Sequence, residues 1–278
     1  NTWSIFNEDQ LGKERVNERV YWNERVKQIM SEDAFDLYFQ PIVDVTTGDI
    51  SHYECLLRVP DELGNMINPT KFIAAAERGG LSQRMDELVI SKAMAYQHML
   101  IERGIAARLS INLSGLSFRN ENLVSHIRHQ LLLYALDPKQ IVFEITETAA
   151  VADMEVAIDV IQQIRLLGCA FALDDFGVGF SSMHYLKRLP VDYLKIDGSF
   201  VSLLHTDRDN QVLVRALVTI ASAFGQKTVA EYVDNEEILM TLRELKVDFA
   251  QGFHIAIPMS YFQVWPVAGD SNVINVRK

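Results

Sequence analysis

Two adjacent carboxylates, Asp174-Asp175, end the apolar run Phe171-Ala172-Leu173, and the glycine-bearing stretch Phe176-Gly177-Val178-Gly179-Phe180-Ser181-Ser182 follows at once. Like charges side by side are costly where water is scarce, because burial disfavours the ionised form of each. A bound divalent cation reverses that cost. Taken alone, the pair fits a solvated turn better than a metal site. Its weight comes from recurrence: Asn112 follows Leu109-Ser110-Ile111, and Glu144 sits in Ile141-Val142-Phe143-Glu144-Ile145. Lys195 lies in Tyr193-Leu194-Lys195-Ile196, Glu231 ends Val229-Ala230, Gln251 ends Phe249-Ala250, and Glu54 precedes Cys55-Leu56-Leu57-Arg58. Buried parallel strands normally read as continuous Val/Ile/Leu runs, so one polar interruption in each calls for a common cause. Several unpaired carboxylates in a dry interior, at several kcal/mol each, would threaten a fold stable by only about 5–15 kcal/mol. Hard cations with oxygen ligands supply the compensation. Carboxylates plus an amide, without a usable Cys or His cluster, favour Mg2+ or Mn2+ over a structural zinc. The acidic count allows two ions: Glu54, Asn112, Glu144 and Asp174 could hold one, and Asp174, Asp175 and Glu231 the other. Such pairs of ions recur in phosphodiester hydrolysis, with Lys195 placed to orient water or stabilise developing negative charge.

These residues must be delivered by alternating elements. Two strand candidates, 35–45 and 51–59, are joined by Thr46-Thr47-Gly48-Asp49, a hairpin signal. Helical patterning follows after Pro69 and again over 82–103. Strands are then expected at 109–113, 141–146, 170–174, 193–196, 228–232 and 249–253. Helices are expected at 118–134, 154–167, from 181, at 210–224 and at 236–245. Alternation of this kind implies parallel pairing with right-handed crossovers. About eight strands over roughly 240 residues is the size of a (β/α)8 barrel, whose active sites form at the strands' C-terminal ends. A doubly wound open sheet is the other arrangement, but no G-x-G-x-x-G follows an early strand. Residues 1–34 are polar with a narrow apolar seam (Val16, Val20, Trp22, Val26, Ile29) and read as a connector helix, or as a helix packing on the main body. The barrel domain is expected over 35–278.

Composition narrows the function. The chain has 278 residues, 49% of them hydrophobic, with a formal net charge of -11, which argues against general affinity for nucleic acid polymers or anionic membranes. No apolar run reaches membrane-span length. Cys55 and Cys169 sit in apolar strand-like runs, as reduced core thiols of a cytoplasmic protein do. His126 and His129 share a helix face, and Arg103, Arg108, Arg165 and Lys187 read as solvated charge.

The motif set Gln40-Pro41-Ile42, Glu54-x-Leu56-x-Arg58, Asn112-Leu113-Ser114, Glu144-x-x-Glu147, Asp174-Asp175-Phe176-Gly177-x-Gly179, Leu194-Lys195-Ile196-Asp197, Ala230-Glu231 and Gln251-Gly252-Phe253 resembles an EAL domain, the family of cyclic di-GMP-specific phosphodiesterases, from about Phe35 to Pro258. The resemblance implies a modified TIM barrel with its first strand antiparallel, two Mg2+ or Mn2+ ions, inhibition by Ca2+, and hydrolysis of cyclic di-GMP to linear pGpG. It assigns Glu54, Asn112, Glu144, Asp174, Asp175 and Glu231 to the metals. Lys195 is placed beside the metal-activated water, with Glu231 as general base and Glu147 shaping the loop after Asp175. Gln40, Leu56, Arg58, Gln251, Phe253 and Pro258 are assigned to the substrate. It further implies a homodimer regulated by an upstream sensory or GGDEF-type module, in the cytoplasm or as the cytoplasmic part of a larger membrane-anchored protein.

The sequence departs from the family pattern at Cys55, at Val178, and at Tyr232-Val233-Asp234, where Gly-Val-Glu is usual. Two further readings stand beside the enzyme. One is a receptor that binds cyclic di-GMP with little or no turnover. The other is an unrelated acid-rich barrel enzyme, such as a metal-assisted lyase acting on a small oxyanion.

Overall fold

The computed structural model of the chain describes residues 20–61, 66–67, 69–177 and 183–266. Of the 1–34 helix expected from the sequence, residues 1–19 lie outside these; residues 20–31 are helical (α1), and Val26 and Ile29 are fully buried in the main core. The chain then runs through β1 (Asp36–Asp44), β2 (Ile50–Pro60), the short β3 (Met66–Ile67), α2 (Pro69–Arg78), α3 (Ser82–Glu102), β4 (Leu109–Asn112) and α4 (Leu123–Leu133). It continues with β5 (Ile141–Thr146), α5 (Glu147–Ala152), α6 (Met154–Leu166), β6 (Ala170–Phe176), α7 (Met183–Arg188) and β7 (Tyr193–Ile196). The last third contains α8 (Gly198–Val201), α9 (Arg208–Ala223), β8 (Lys227–Ala230), α10 (Glu236–Leu245), β9 (Phe249–Ala250), β10 (Met259–Ser260) and α11 (Tyr261–Val264).

Eight strands close on themselves in the order β1-β2-β4-β5-β6-β7-β8-β9-β1. All neighbours from β2 to β9 are parallel, whereas β1 is antiparallel to both β2 and β9. The reason is local: Asp44 accepts from the amides of Thr46 and Thr47, the chain turns at Gly48 with φ 77°, and β1 is thereby paired to β2 as a hairpin. The result is a (β/α)8-type barrel with its first strand reversed.

Strand periodicity then stacks the interior in layers. Ile42, Val142, Ala172, Tyr193 and Val229 form one buried apolar cluster, sealed by His52 against the Tyr193 and Phe249 rings. Two residues further along each parallel strand, on the same face, stand Glu54 after His52, Glu144 after Val142, Asp174 after Ala172, Lys195 after Tyr193, Glu231 after Val229 and Gln251 after Phe249. On the reversed β1 the order inverts, and Gln40 precedes Ile42. An apolar plug therefore carries a polar layer at the C-terminal ends of the strands.

Several boundaries differ from the sequence reading. The expected helix at 118–134 is a 3-10 turn, Gly115–Arg119, followed by α4. The strand expected to reach Phe253 ends at Ala250 because Gly252 turns against the Val233 backbone. A Cβ there would sit 2.2 Å from Val233 N and O. Arg103 is exposed, as expected, and it also donates to Tyr261 Oη and to the carbonyls of Trp265 and Pro266, pinning α11. Arg108 donates to Tyr193 Oη beneath the plug. Both cysteines are free and buried. No helix among the described residues is long and apolar enough to cross a membrane.

Candidate active site

The polar layer is organised around Lys195. Its ammonium, on β7 and 1% exposed, lies 2.7 Å from Glu144, 2.9 Å from Glu231, 3.1 Å from Asp174 and 3.4 Å from Glu54. Three of these carboxylates come from β2, β5 and β6, and Glu231 follows directly on the end of β8. Amides orient them: Asn112 Nδ2 donates to Glu54 Oε1 at 2.7 Å, and Gln251 Nε2 donates to Glu54 Oε2 at 2.7 Å and to Gln40 Oε1 at 3.1 Å. Ser110 Oγ donates to Glu144 Oε1. Sequence reasoning passed over Ser110 in favour of Asn112, although its hydroxyl interrupts the same apolar run.

Burial raises the carboxyls of Glu144 and Glu231 to about 8, against the opposing pull of Lys195. At Glu54 burial pushes the same way, but Lys195 and the donors Gln251 and Asn112 outweigh it, and the pKa falls below the usual carboxylate value. Lys195 is held well above the ordinary lysine value, since the four carboxylates overcome its own desolvation. Asp175 is raised by burial and by the neighbouring Asp174.

Asp174 and Asp175 owe their joint presentation to an irregularity. The register between β6 and β7 shifts between Leu173 and Phe176, and Asp175 adopts φ 54°. That bulge turns two consecutive side chains toward one place, where Asp174, Asp175 and Glu231 each bring an oxygen within 4.8 Å of the others. Next to it, Glu147 Oε2 accepts from Gly177 N at 3.1 Å. Glu147 thus holds the start of the 178–182 stretch, which itself lies outside the described residues.

Opening beside the layer is a cavity of about 430 Å³ lined by Gln40, Glu54, Leu56, Arg58, Glu231, Tyr232, Asp234, Gln251, Gly252, Phe253 and Pro258. All six residues that the resemblance assigned to substrate fall on it. Tyr232 and Asp234 were noted in the sequence only as departures; the cavity shows them on its wall.

The donor set suits divalent cations. Glu54, Glu144, Asp174, Asp175 and Glu231 supply five carboxylates against one ammonium, leaving four negative charges uncompensated if all are ionised. Burial first, and the neighbouring carboxylates second, raise Glu144, Asp175 and Glu231. Oxygen-only donors favour hard ions such as Mg2+ or Mn2+. Asp174, Asp175 and Glu231 are already gathered as one ligand group, whereas Glu54, Glu144 and Asp174 are collected around the Lys195 ammonium.

A family model described as EAL domain matches residues 23–258. Cyclic di-GMP phosphodiesterase PdeB of Shewanella oneidensis is 38% identical over 238 residues, covering 85% of this chain and 28% of that protein. Cyclic di-GMP phosphodiesterase PdeA of Borreliella burgdorferi is 34% identical over 229 residues, covering 82% of this chain and 34% of its own length. The chain therefore spans about a third of these curated relatives. Among solved structures, "PaMucR Phosphodiesterase, c-di-GMP complex" superposes with a TM-score of 0.83 at 32% identity, over 88% of this chain and 99% of that one.

Proposed function

The chain belongs to the EAL domain family, and on that premise we propose that it is a metal-dependent phosphodiesterase that hydrolyses cyclic di-GMP to linear pGpG. One observation carries the reading: carboxylates from three strands and from the end of a fourth converge on Lys195 beside a cavity with Arg58 on its wall. The names of its relatives support the substrate.

Glu54, Asn112, Glu144 and Asp174 would hold one Mg2+ or Mn2+ ion, and Asp174, Asp175 and Glu231 the second. Bound there, such ions supply Lewis acidity toward a phosphodiester and make water a competent nucleophile near neutral pH. The chain's own groups do the rest. Arg58 presents a forked guanidinium suited to a phosphate. Gln40 and Gln251, hydrogen-bonded to each other, offer fixed amides, while Leu56, Phe253 and Pro258 give apolar surface for ribose and guanine. Glu231 accepts the proton of the attacking water at its carboxylate. Lys195, 2.9 Å from Glu231 Oε1, stabilises the negative charge that develops as the P–O3′ bond breaks, and the departing O3′ takes its proton from solvent. Glu147 fixes the backbone after Asp175 through Gly177 and keeps both aspartates in place.

The relatives' greater length supports placing this chain as the output module of a larger cytoplasmic or membrane-anchored protein. There it would act as a homodimer under an upstream sensory or GGDEF-type module. The test is a hydrolysis assay on cyclic di-GMP with Mg2+, Mn2+ or Ca2+, beside Glu54→Ala. Release of pGpG with Mg2+ or Mn2+, abolished in the variant and suppressed by Ca2+, is the expected result. Tight binding without product would make the chain a receptor. A folded, metal-loaded sample that binds no cyclic dinucleotide would overturn both.

A further inference from the structure

Tyr232 follows Glu231 directly, and three features set it apart. Its backbone is in the left-handed region at φ 54°, a conformation that suits glycine and strains an aromatic residue. The residue is 64% exposed, so little apolar burial offsets that strain. Its ring is nonetheless seated: α8 begins with Gly198, and a Cβ on that glycine would stand 2.2 Å from Tyr232 Cδ2, 2.5 Å from Cγ and 2.9 Å from Cβ. The glycine makes the space the ring needs. An exposed aromatic held in place at a cost in backbone strain, on the wall of a ligand cavity, is the signature of a residue kept for binding.

We propose that Tyr232 is a substrate-binding residue: its ring, backed by Gly198, is a platform on which a purine base of the cyclic dinucleotide stacks. The cavity already carries Arg58 for phosphate and a second exposed aromatic, Phe253 (68% exposed), at its opening. A planar base entering between the polar layer and solvent meets Tyr232 next to Glu231, the residue closest to the chemistry. Base–aromatic stacking needs only the π-face, so the ring and not the hydroxyl is the working part. The proposal rests on the reading of this cavity as a cyclic di-GMP site.

The test compares the intact chain with Tyr232→Phe, Tyr232→Leu and Tyr232→Gly. Cyclic di-GMP is titrated in Ca2+ to obtain Kd, steady-state kinetics are run in Mg2+, and Tm is recorded for each. Phe should match wild type within about twofold, while Leu and Gly weaken binding about 5- to 150-fold, the range that loss of one stack carries. The loss should fall on KM more than on kcat. Gly should melt no lower than wild type, because its backbone suits φ 54°. Leu or Gly binding as tightly as Tyr would overturn the proposal, as would a Phe variant as weak as Gly, which would assign the effect to the hydroxyl. A wild-type chain that binds no cyclic di-GMP would overturn the underlying reading, and the platform with it.

Discussion

Asp174 and Asp175 are consecutive residues of a strand, yet their carboxylates converge with that of Glu231 to within 4.8 Å. Neighbours in a regular strand face opposite sides of the sheet. Here the register slip and the left-handed Asp175 put both on one side, and the chain gives up local stability to keep them there.

Replacing Asp175 by glycine should expose that trade. Glycine adopts φ 54° freely, and one of two repelling carboxylates disappears, so the metal-free protein should gain about 1 kcal/mol, or about 2–4 °C in Tm for a chain of this size. The rise in Tm that Mg2+ produces should shrink at the same time. Thermal melts in chelator and in Mg2+ check both; a lower Tm in chelator, or an unchanged Mg2+ shift, would contradict the account.

Lys195 is the one cation among the described residues within salt-bridge distance of Glu54, Glu144, Asp174 and Glu231, and it offsets part of their charge. Lys195→Met should cost about 3–5 kcal/mol in chelator, the usual penalty for leaving a buried ion pair broken. Mg2+ should restore part of the loss. Hydrolysis should drop by at least about 100-fold, in line with losing one preorganised electrostatic donor. A variant as stable as wild type in chelator would show that the carboxylates do not depend on the ammonium.

The raised carboxyls set the sign of the pH response. Glu144 and Glu231 titrate near 8 in the folded metal-free chain and near the ordinary Glu value when unfolded. Between those values the unfolded state holds fewer protons, so their contribution to stability is full below about pH 4 and is lost as pH rises through 8. Bound Mg2+ competes with those protons, so the half-saturating Mg2+ concentration should fall as pH rises from 6 to 8. Melts and Mg2+ titrations across that range are the check. Mg2+ affinity independent of pH would place the ion elsewhere.

Gly252 tests the packing that aims Gln251. A methyl there meets the Val233 backbone at 2.2 Å, and Val233 N already donates to Gln251 O. Gly252→Ala should cost more than about 2 kcal/mol, as overpacking against backbone does, and should raise KM. A Tm within 1 °C of wild type, by order of magnitude less than that cost implies, would refute this contact.

Most of the site was legible because each acid breaks an apolar run, and a strand period of two carries that break to a predictable layer. The barrel followed from alternation, and the hairpin from Thr46-Thr47-Gly48-Asp49. What stayed hidden was short or conformational. One-turn α8, six-residue α5 and the β10–α11 end lack the length for periodicity to register. The early end of β9 depends on a backbone contact between Gly252 and Val233, far apart in sequence. Likewise, the left-handed turns at Asp175 and Tyr232 sit on residues that do not advertise them. Ser110 was legible as a polar break, but its partner Glu144 is visible only once β4 lies beside β5.

The carboxylates around Lys195 exist to hold cations. The most direct test is a crystal grown with Mn2+ and cyclic di-GMP, with anomalous scattering recorded at the manganese edge. Two peaks bounded by Glu54, Asn112, Glu144 and Asp174, and by Asp174, Asp175 and Glu231, are the expected result. A well-ordered crystal with those side chains in place and no manganese between them would contradict it.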